Sequence, residues 1–260
     1  MTTYNDIDVE WHGHVAVVEI QRPPLNFFDN SLIQQIADCF DELGQDDRCR
    51  AIVLAAQGKA FCAGADFFSS GKALFDPESP DSAIRLYQNA IRLFGCKKPV
   101  VGAIHGAAVG GGLGLALVPD FRVVAPEARF AANFVRLGIH PGFGISSVLP
   151  RIIGAQKANL MLLTGRRING EQAYEWGLAD QLSSAAAVRD DAIALAAEIA
   201  ECAPLAVEST RATSRVGLIE ELRERVKHEF AEQVWLAKTE DHLEGARAVG
   251  ERRLGKFKRA

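Results

Sequence analysis

Several features common in other protein classes are missing from these 260 residues. No stretch approaches the roughly 18 apolar residues needed to span a bilayer; the longest candidate, residues 107–118, is short and rich in glycine. No basic segment followed by an apolar run opens the chain, so no signal peptide is expected. The cysteines, at 39, 49, 62, 96 and 202, are odd in number and form no C-x-x-C pair. That pattern argues against a disulfide framework and predicts a reduced, cytoplasmic chain. No metal site is expected. A formal net charge of −4 gives no general attraction for nucleic acid or an anionic membrane, so neither is expected as a partner. Any anionic ligand must be held by a local site. Low-complexity linkers and solenoid repeats are absent too.

What is present is a chain able to bury a large core, with 48% hydrophobic and 24% charged residues. Residues 14–20 form a β-branched run closed by two prolines, which predicts a strand. Asp29, Asn30 and Ser31 offer caps for a helix in which Leu32, Ile33, Ile36, Phe40 and Leu43 recur at helical spacing. Residues 50–56 read as a buried strand, so the pair is expected to be parallel with the helix as crossover. A helix is predicted over 81–94, with Ile84, Leu86, Tyr87, Ile91 and Phe94 on its buried face. Further strands are expected from Pro99, after Asp120 and over 128–131. Residues 149–165 read as one helix ending at Gly165, and helices dominate from about 189 onward. The expected division is an α/β core over 1–190 and a helical region over 191–260.

Two glycine-bearing segments carry the chemistry. FCAGADF (61–67) delivers the chain to Gly64, where a missing side chain permits a tight backbone turn. In AIHGAAVGGGLGLAL (103–117) three glycines open a helix whose first N–H groups lack intrahelical acceptors. The run does not fit the dinucleotide pattern G-x-G-x-x-G, because Leu115 stands where the last glycine belongs. Two sets of backbone donors converging on one developing negative charge would form an oxyanion hole.

With these segments, RPPLN (22–26), Asp120, TGRRINGEQAYEWGLAD (164–180) and EDHLEGARA (240–248), the chain resembles the crotonase, or enoyl-CoA hydratase/isomerase, superfamily over nearly its whole length. The resemblance implies a spiral of ββα units with a helical C-terminal trimerisation region, giving a homotrimer or a dimer of trimers. It implies an acyl-CoA ligand, with CoA carried as part of the thioester and no tightly bound cofactor, and a place in fatty-acid metabolism. The thioester carbonyl would be polarised by the N–H groups of Ala65 and Gly111, beside substrate-binding positions Ala63, Gly64, Asp66, Phe67, Phe68, Gly110, Phe134 and Phe143. Phe75 and Tyr87 are further candidates for an acyl pocket.

The departure lies in the proton carriers. Classical hydratases place one glutamate two residues after the third glycine and another four residues after the phenylalanine of the ARF-like strand. Those positions are Gly114 and Phe134 here, and neither can take a proton. Other branches use an acidic residue near Gly142, which is empty as well. Two-carboxylate hydration therefore loses its machinery. His140 is the candidate acid/base, and its alternative is a loop histidine facing solvent or an interface. Arg136 could meet a substrate carboxylate but reads more simply as an exposed arginine, and Asn133 as a turn residue. His105 and Asp66 read as structural, and Cys62 as packing. The basic tail, Arg247, Arg252, Arg253, Lys256, Lys258 and Arg259, could reach a CoA phosphate or form a solvated terminal helix. Two functions follow: an acyl-CoA lyase or isomerase without the paired glutamates, or a non-catalytic acyl-CoA-binding protein that retains the fold.

Overall fold

The structure is a computed structural model and describes residues 2–65 and 80–260, with side chains from residue 84 onward in the second segment. The elements in chain order are β1 (Ile7–His12), β2 (Val15–Ile20), α1 (Asn30–Gln45), β3 (Ala51–Ala56), β4 (Ala60–Cys62), α2 (Pro80–Phe94), β5 (Val100–Ile104), β6 (Ala107–Val109), α3 (Gly111–Ala116), β7 (Phe121–Val124) and β8 (Arg129–Ala131). A 3₁₀ turn over Asn133–Leu137 leads to α4 (Ile145–Ile153), α5 (Ala155–Thr164), β9 (Arg167–Asn169), α6 (Gly170–Glu175) and β10 (Gln181–Leu182). Four helices close the chain: α7 (Val188–Ala200), α8 (Pro204–Ser214), α9 (Leu218–Leu236) and α10 (Glu240–Gly250).

Among the described residues the strands form two sheets, ordered β1-β2-β3-β5-β7-β10 and β4-β6-β8-β9. The consecutive pairs β3/β4, β5/β6 and β7/β8 each give one strand to either sheet, which is the expected ββα spiral. β2, β3, β5 and β7 are parallel neighbours, with α1 as the crossover between β2 and β3. Both faces of this sheet are covered. Ala16, Val18 and Ile20 point into the main core, while Val15 and Val17 join Ala51, Val53, Val101 and Val123 under Val188, Ala192, Ala196 and Ala200 of α7. Alternate residues of one strand therefore serve two cores, and burial on both sides explains the unbroken apolar runs. The proposed boundary at residue 190 falls inside α7, a helix that packs on the core sheet.

Local chemistry sets the helix limits. Asp29 accepts from the Leu32 N–H at 2.9 Å and starts α1, whose Leu32, Ile33, Ile36 and Phe40 are fully buried. Each such side chain contributes about 1.5–3 kcal/mol of burial. In α2 the buried face is Leu86, Tyr87, Ala90, Leu93 and Phe94, while Ile84 is 40% exposed, so the expected stripe is shifted. The single helix expected over 149–165 is two: α4 and α5 meet at Gly154, whose φ of 79° and ψ of 154° interrupt the hydrogen-bond ladder. Strand β1 is an addition to the expected elements, and its IDVEWH alternates apolar and polar residues, as an edge strand should.

Asp120 ties the helical C-terminal region to the core. It accepts from the Val100 N–H at 2.8 Å and is paired with Arg211 at 2.8 Å and Arg215 at 2.6 Å, both from the α8 segment. Among the described residues no helix is long and apolar enough to cross a membrane.

Candidate active site

The RPPLN turn prepares the site. Asn26 is fully buried with φ of 49°, a conformation asparagine tolerates better than most residues. Its amide donates to the carbonyls of Gln57 (2.6 Å) and Ala60 (2.7 Å), and its side-chain oxygen accepts from the Arg22 N–H (3.0 Å). The chain beyond it is thereby held against β4. The Ala63 N–H donates to the Leu25 carbonyl, and the Phe28 N–H to the Gly64 carbonyl, both at 3.0 Å. Phe28 and Ala65 form a parallel bridge.

This strap brings the two glycine segments together. Gly64 has φ of 87°, and a Cβ there would lie 2.6 Å from the Val109 carbonyl oxygen and 3.6 Å from the Gly111 nitrogen. Gly111 faces the Phe28 ring and Gly112 the Cys62 carbonyl so closely that a side chain on either would collide. Gly111 is the first residue of α3, so its N–H has no intrahelical acceptor. The bridge to Phe28 uses the Gly64 carbonyl, and among the described residues neither the Ala65 nor the Gly111 N–H donates to a backbone carbonyl in a turn or loop.

Ala63, Gly64, Ala65, Gly110 and Gly111 line one wall of a cavity of about 250 Å³. Phe28, Leu86, Leu137, Ile139, Phe134 and Phe143 are among its other lining residues. Donors in such a setting can bind a carbonyl oxygen and hold it more strongly as it gains charge, because water is displaced. Asp66, Phe67, Phe68 and Phe75 lie outside the described residues.

The positions that lack carboxylates are built over. A Cβ at Gly114 would sit 2.6 Å from the Phe143 ring, so that aromatic side chain fills the place. Phe143 itself has φ of 64°, uncommon for a bulky residue and costing about 1–3 kcal/mol. Its ring also packs on Phe28, with centroids 5.8 Å apart. Phe134 puts a second ring into the wall. At Gly142 a Cβ would run into the Tyr87 hydroxyl and come within 2.6 Å of Gln233 Nε2. Among the described residues no Asp, Glu, Lys or His side chain lines the cavity; its polar side chains are Tyr87, Asn133, Gln233 and Arg167. No cluster able to hold a metal occurs among the described residues either.

His140 is placed elsewhere. Its Nδ1 is 2.8 Å from the Pro141 carbonyl, which fixes a proton on that nitrogen, and its ring packs edge-on to His228 at 5.9 Å. These contacts turn it into a second cavity with Ser146, Trp235, Asp241 and Phe257, away from Ala65 and Gly111. The backbone does reach the site: the His140 carbonyl accepts from Gln233 Nε2 at 2.8 Å. Arg136 donates to the Thr164 carbonyl and is exposed. His105 contacts the Gly58 carbonyl at 3.0 Å. Burial pushes the Cys62 thiol up to about 12, leaving it protonated at neutral pH. In the tail, Arg253 pairs with Glu244 and Glu251.

Gln233 and Glu229, both on α9, were not legible from sequence. Tyr87 donates to Gln233 Oε1 across 146 positions, a contact no local pattern announces. Glu229 is buried behind the Phe143 segment, accepting from the N–H groups of Gly144 (2.8 Å) and Ser146 (3.1 Å) and from the Ser146 hydroxyl (2.5 Å). Desolvation outweighs these donors and pushes its carboxyl up to about 7.

Two sheets of paired strands, with glycine turns lining an apolar cavity, define a crotonase-type α/β protein. The chain belongs to the enoyl-CoA hydratase/isomerase family, which residues 10–260 match. It is 35% identical over 253 residues to a carnitinyl-CoA dehydratase of Proteus mirabilis, covering 95% of each chain. It is 34% identical over 241 residues to a "Probable enoyl-CoA hydratase" of Mycobacterium tuberculosis, covering 91% of each. The crystal structure of carnitinyl-CoA hydratase from Mycobacterium avium superposes with a TM-score of 0.84 at 29% identity, over 99% of this chain and 100% of the other.

Proposed function

We propose that the cavity binds an acyl-CoA thioester and that the Ala65 and Gly111 N–H groups hold its carbonyl oxygen, stabilising an enolate-like state. The observation that carries this is the approach of Gly64 to Gly111, with both flanking donors free of backbone acceptors in turns and loops. The relatives, a dehydratase and a hydratase by name, support the same ligand class. Loss of one such donor costs about 3–4 kcal/mol of transition-state stabilisation in comparable sites. On this reading the chemistry does not rest on the paired glutamates of classical hydratases, since Gly114 and Phe134 stand at those positions. Isotope-edited infrared spectroscopy of a bound, carbonyl-labelled acyl-CoA tests the donor assignment. The thioester band is expected to move to lower wavenumber on binding, and an unshifted band in a demonstrated complex removes Ala65 and Gly111 from this role.

A second reading is favoured by the rings that occupy the acid/base positions: an acyl-CoA-binding protein without catalysis. Turnover of enoyl-, hydroxyacyl- and malonyl-type CoA esters separates the two. A rate well above background for any ester establishes the enzyme; binding without turnover across the whole panel establishes the binding protein.

A further inference from the structure

The cavity's buried polar pair has a fixed polarity. Tyr87 and Gln233 are 5% and 1% exposed, one on α2 and the other on α9, and both line the cavity. The amide of Gln233 is oriented by the main chain. Its neighbour at 2.8 Å is the His140 carbonyl, a pure acceptor, so the Gln233 nitrogen must face it. Gln233 Oε1 then faces Tyr87 and can only accept, so the Tyr87 proton is committed to it. Burial raises the phenol further, keeping it protonated at any physiological pH. What the hydroxyl has left for a ligand is lone pairs. The hydroxyl lies where a side chain at Gly142 would project, and Gly142 is itself part of the cavity wall.

Resting on the acyl-CoA reading above, we propose that Tyr87 and Gln233 determine acyl specificity: the Tyr87 oxygen is a hydrogen-bond acceptor that selects acyl groups bearing a hydroxyl near the thioester. At Tyr87 the cavity presents an oriented acceptor, which penalises two alternatives there. A plain saturated chain leaves that acceptor unpaired, and an acceptor-only group such as a ketone meets it oxygen to oxygen. Gln233 acts as a positioning residue, since it touches the Tyr87 hydroxyl and fixes the direction of its proton.

The test is calorimetric titration of the full-length protein and of its Tyr87→Phe and Gln233→Leu variants with butyryl-, 3-hydroxybutyryl-, 4-hydroxybutyryl- and acetoacetyl-CoA. One neutral hydrogen bond corresponds to about a three- to tenfold difference in Kd. The wild type is expected to bind at least one hydroxybutyryl ester more tightly than butyryl-CoA by that factor. Tyr87→Phe should erase the difference. Gln233→Leu frees the phenolic proton, so acetoacetyl-CoA should gain a similar factor relative to the other esters, a change that simple loss of folding cannot produce. Absence of a hydroxyl preference in the wild type, or its survival in Tyr87→Phe, overturns the specificity assignment while leaving the acyl-CoA site standing. Failure of all four esters to bind the wild type overturns the acyl-CoA reading and the specificity assignment with it.

Discussion

The two walls of the cavity are made in opposite ways. The proposed donor wall is backbone: Ala65 and Gly111 offer N–H groups, and Gly64, Gly110 and Gly111 the absence of side chains. The acyl wall is side chain, with Phe28, Phe134 and Phe143 as rings and Tyr87 with Gln233 as an oriented polar pair. The donor wall needs close main-chain approach and leaves little room for substitution. The acyl wall answers to side-chain contacts, packing for the rings and hydrogen bonds for Tyr87 and Gln233, so its composition is less tied to main-chain approach. On the proposed assignment, the acyl side of the site can vary while the carbonyl keeps its place.

The largest effect should come from filling the donor wall. In Gly64→Ala the new Cβ would stand 2.6 Å from the Val109 carbonyl at a φ of 87°, combining a left-handed penalty with backbone overlap. The expected cost is about 4 kcal/mol, read from urea unfolding, with acyl-CoA binding lost. Gly13→Ala is the control: its φ is 60°, but nothing lies within 4 Å of the added carbon, so only about 1–2 kcal/mol is expected. Equal costs at the two positions would show that close approach is not what fixes Gly64.

That contrast also explains what could be read without coordinates. Glycine is a local signal of a backbone requirement, so FCAGADF and GGG point to the proposed donor wall, whereas the strap made by RPPLN emerges only from the hydrogen bonds of Asn26. The sheet followed from β-branched runs such as residues 50–56, whose sequence neighbours decide their state. The acyl wall depends on pairs distant in sequence. Nothing in a charged helix such as α9 marks Gln233 as the partner of Tyr87 or Glu229 as the acceptor for Gly144. His140 was drawn to the site by proximity in sequence, yet its ring follows the Pro141 carbonyl and His228 instead. The break at Gly154 was missed because a continuous helical pattern outweighed one glycine.

The next effect belongs to the support of the acyl wall. Glu229 holds Gly144 and Ser146, the residues that follow the strained Phe143, and has Arg225 and Tyr87 as electrostatic neighbours. Its carboxyl, raised from an ordinary 4.5 to about 7, binds a proton more tightly in the folded state than in the unfolded one. Stability from this group is therefore fullest below about pH 4.5, falls as pH rises through about 4.5–7, and is level above. The difference amounts to about 3 kcal/mol. Glu229→Gln should lack that slope. Urea unfolding at pH 5 and pH 8 measures it as a change in the wild-type-minus-variant difference, and parallel profiles would show that Glu229 ionises in the fold as it does in water.

A smaller effect tests whether carboxylates can be introduced at Gly114 and Phe134. Gly114→Glu places its Cβ against Phe143 and should cost about 2 kcal/mol by overpacking. The double variant Gly114→Glu/Phe134→Glu should not hydrate crotonyl-CoA, because the Phe143 ring still occupies the space. Adding Phe143→Gly removes the ring and suits the positive φ, so hydration above background is expected there first. Hydration by the double variant alone would mean that Phe143 yields easily and that the acyl wall is softer than its packing indicates.

The smallest expected effect separates side chain from backbone at one residue. His140 contributes its carbonyl to Gln233, and that carbonyl survives replacement of the side chain. Its ring touches Pro141 and His228 and lines the second cavity. His140→Ala should therefore leave the Kd for acyl-CoA esters within about twofold of wild type, since it removes no group from the cavity and the orientation of Gln233 and Tyr87 is retained. Titration of the variant with butyryl- and 3-hydroxybutyryl-CoA measures this, and any turnover found in the wild type should persist. A tenfold loss in either would place the imidazole in the site and end the distinction between a backbone that reaches the ligand and a ring that does not.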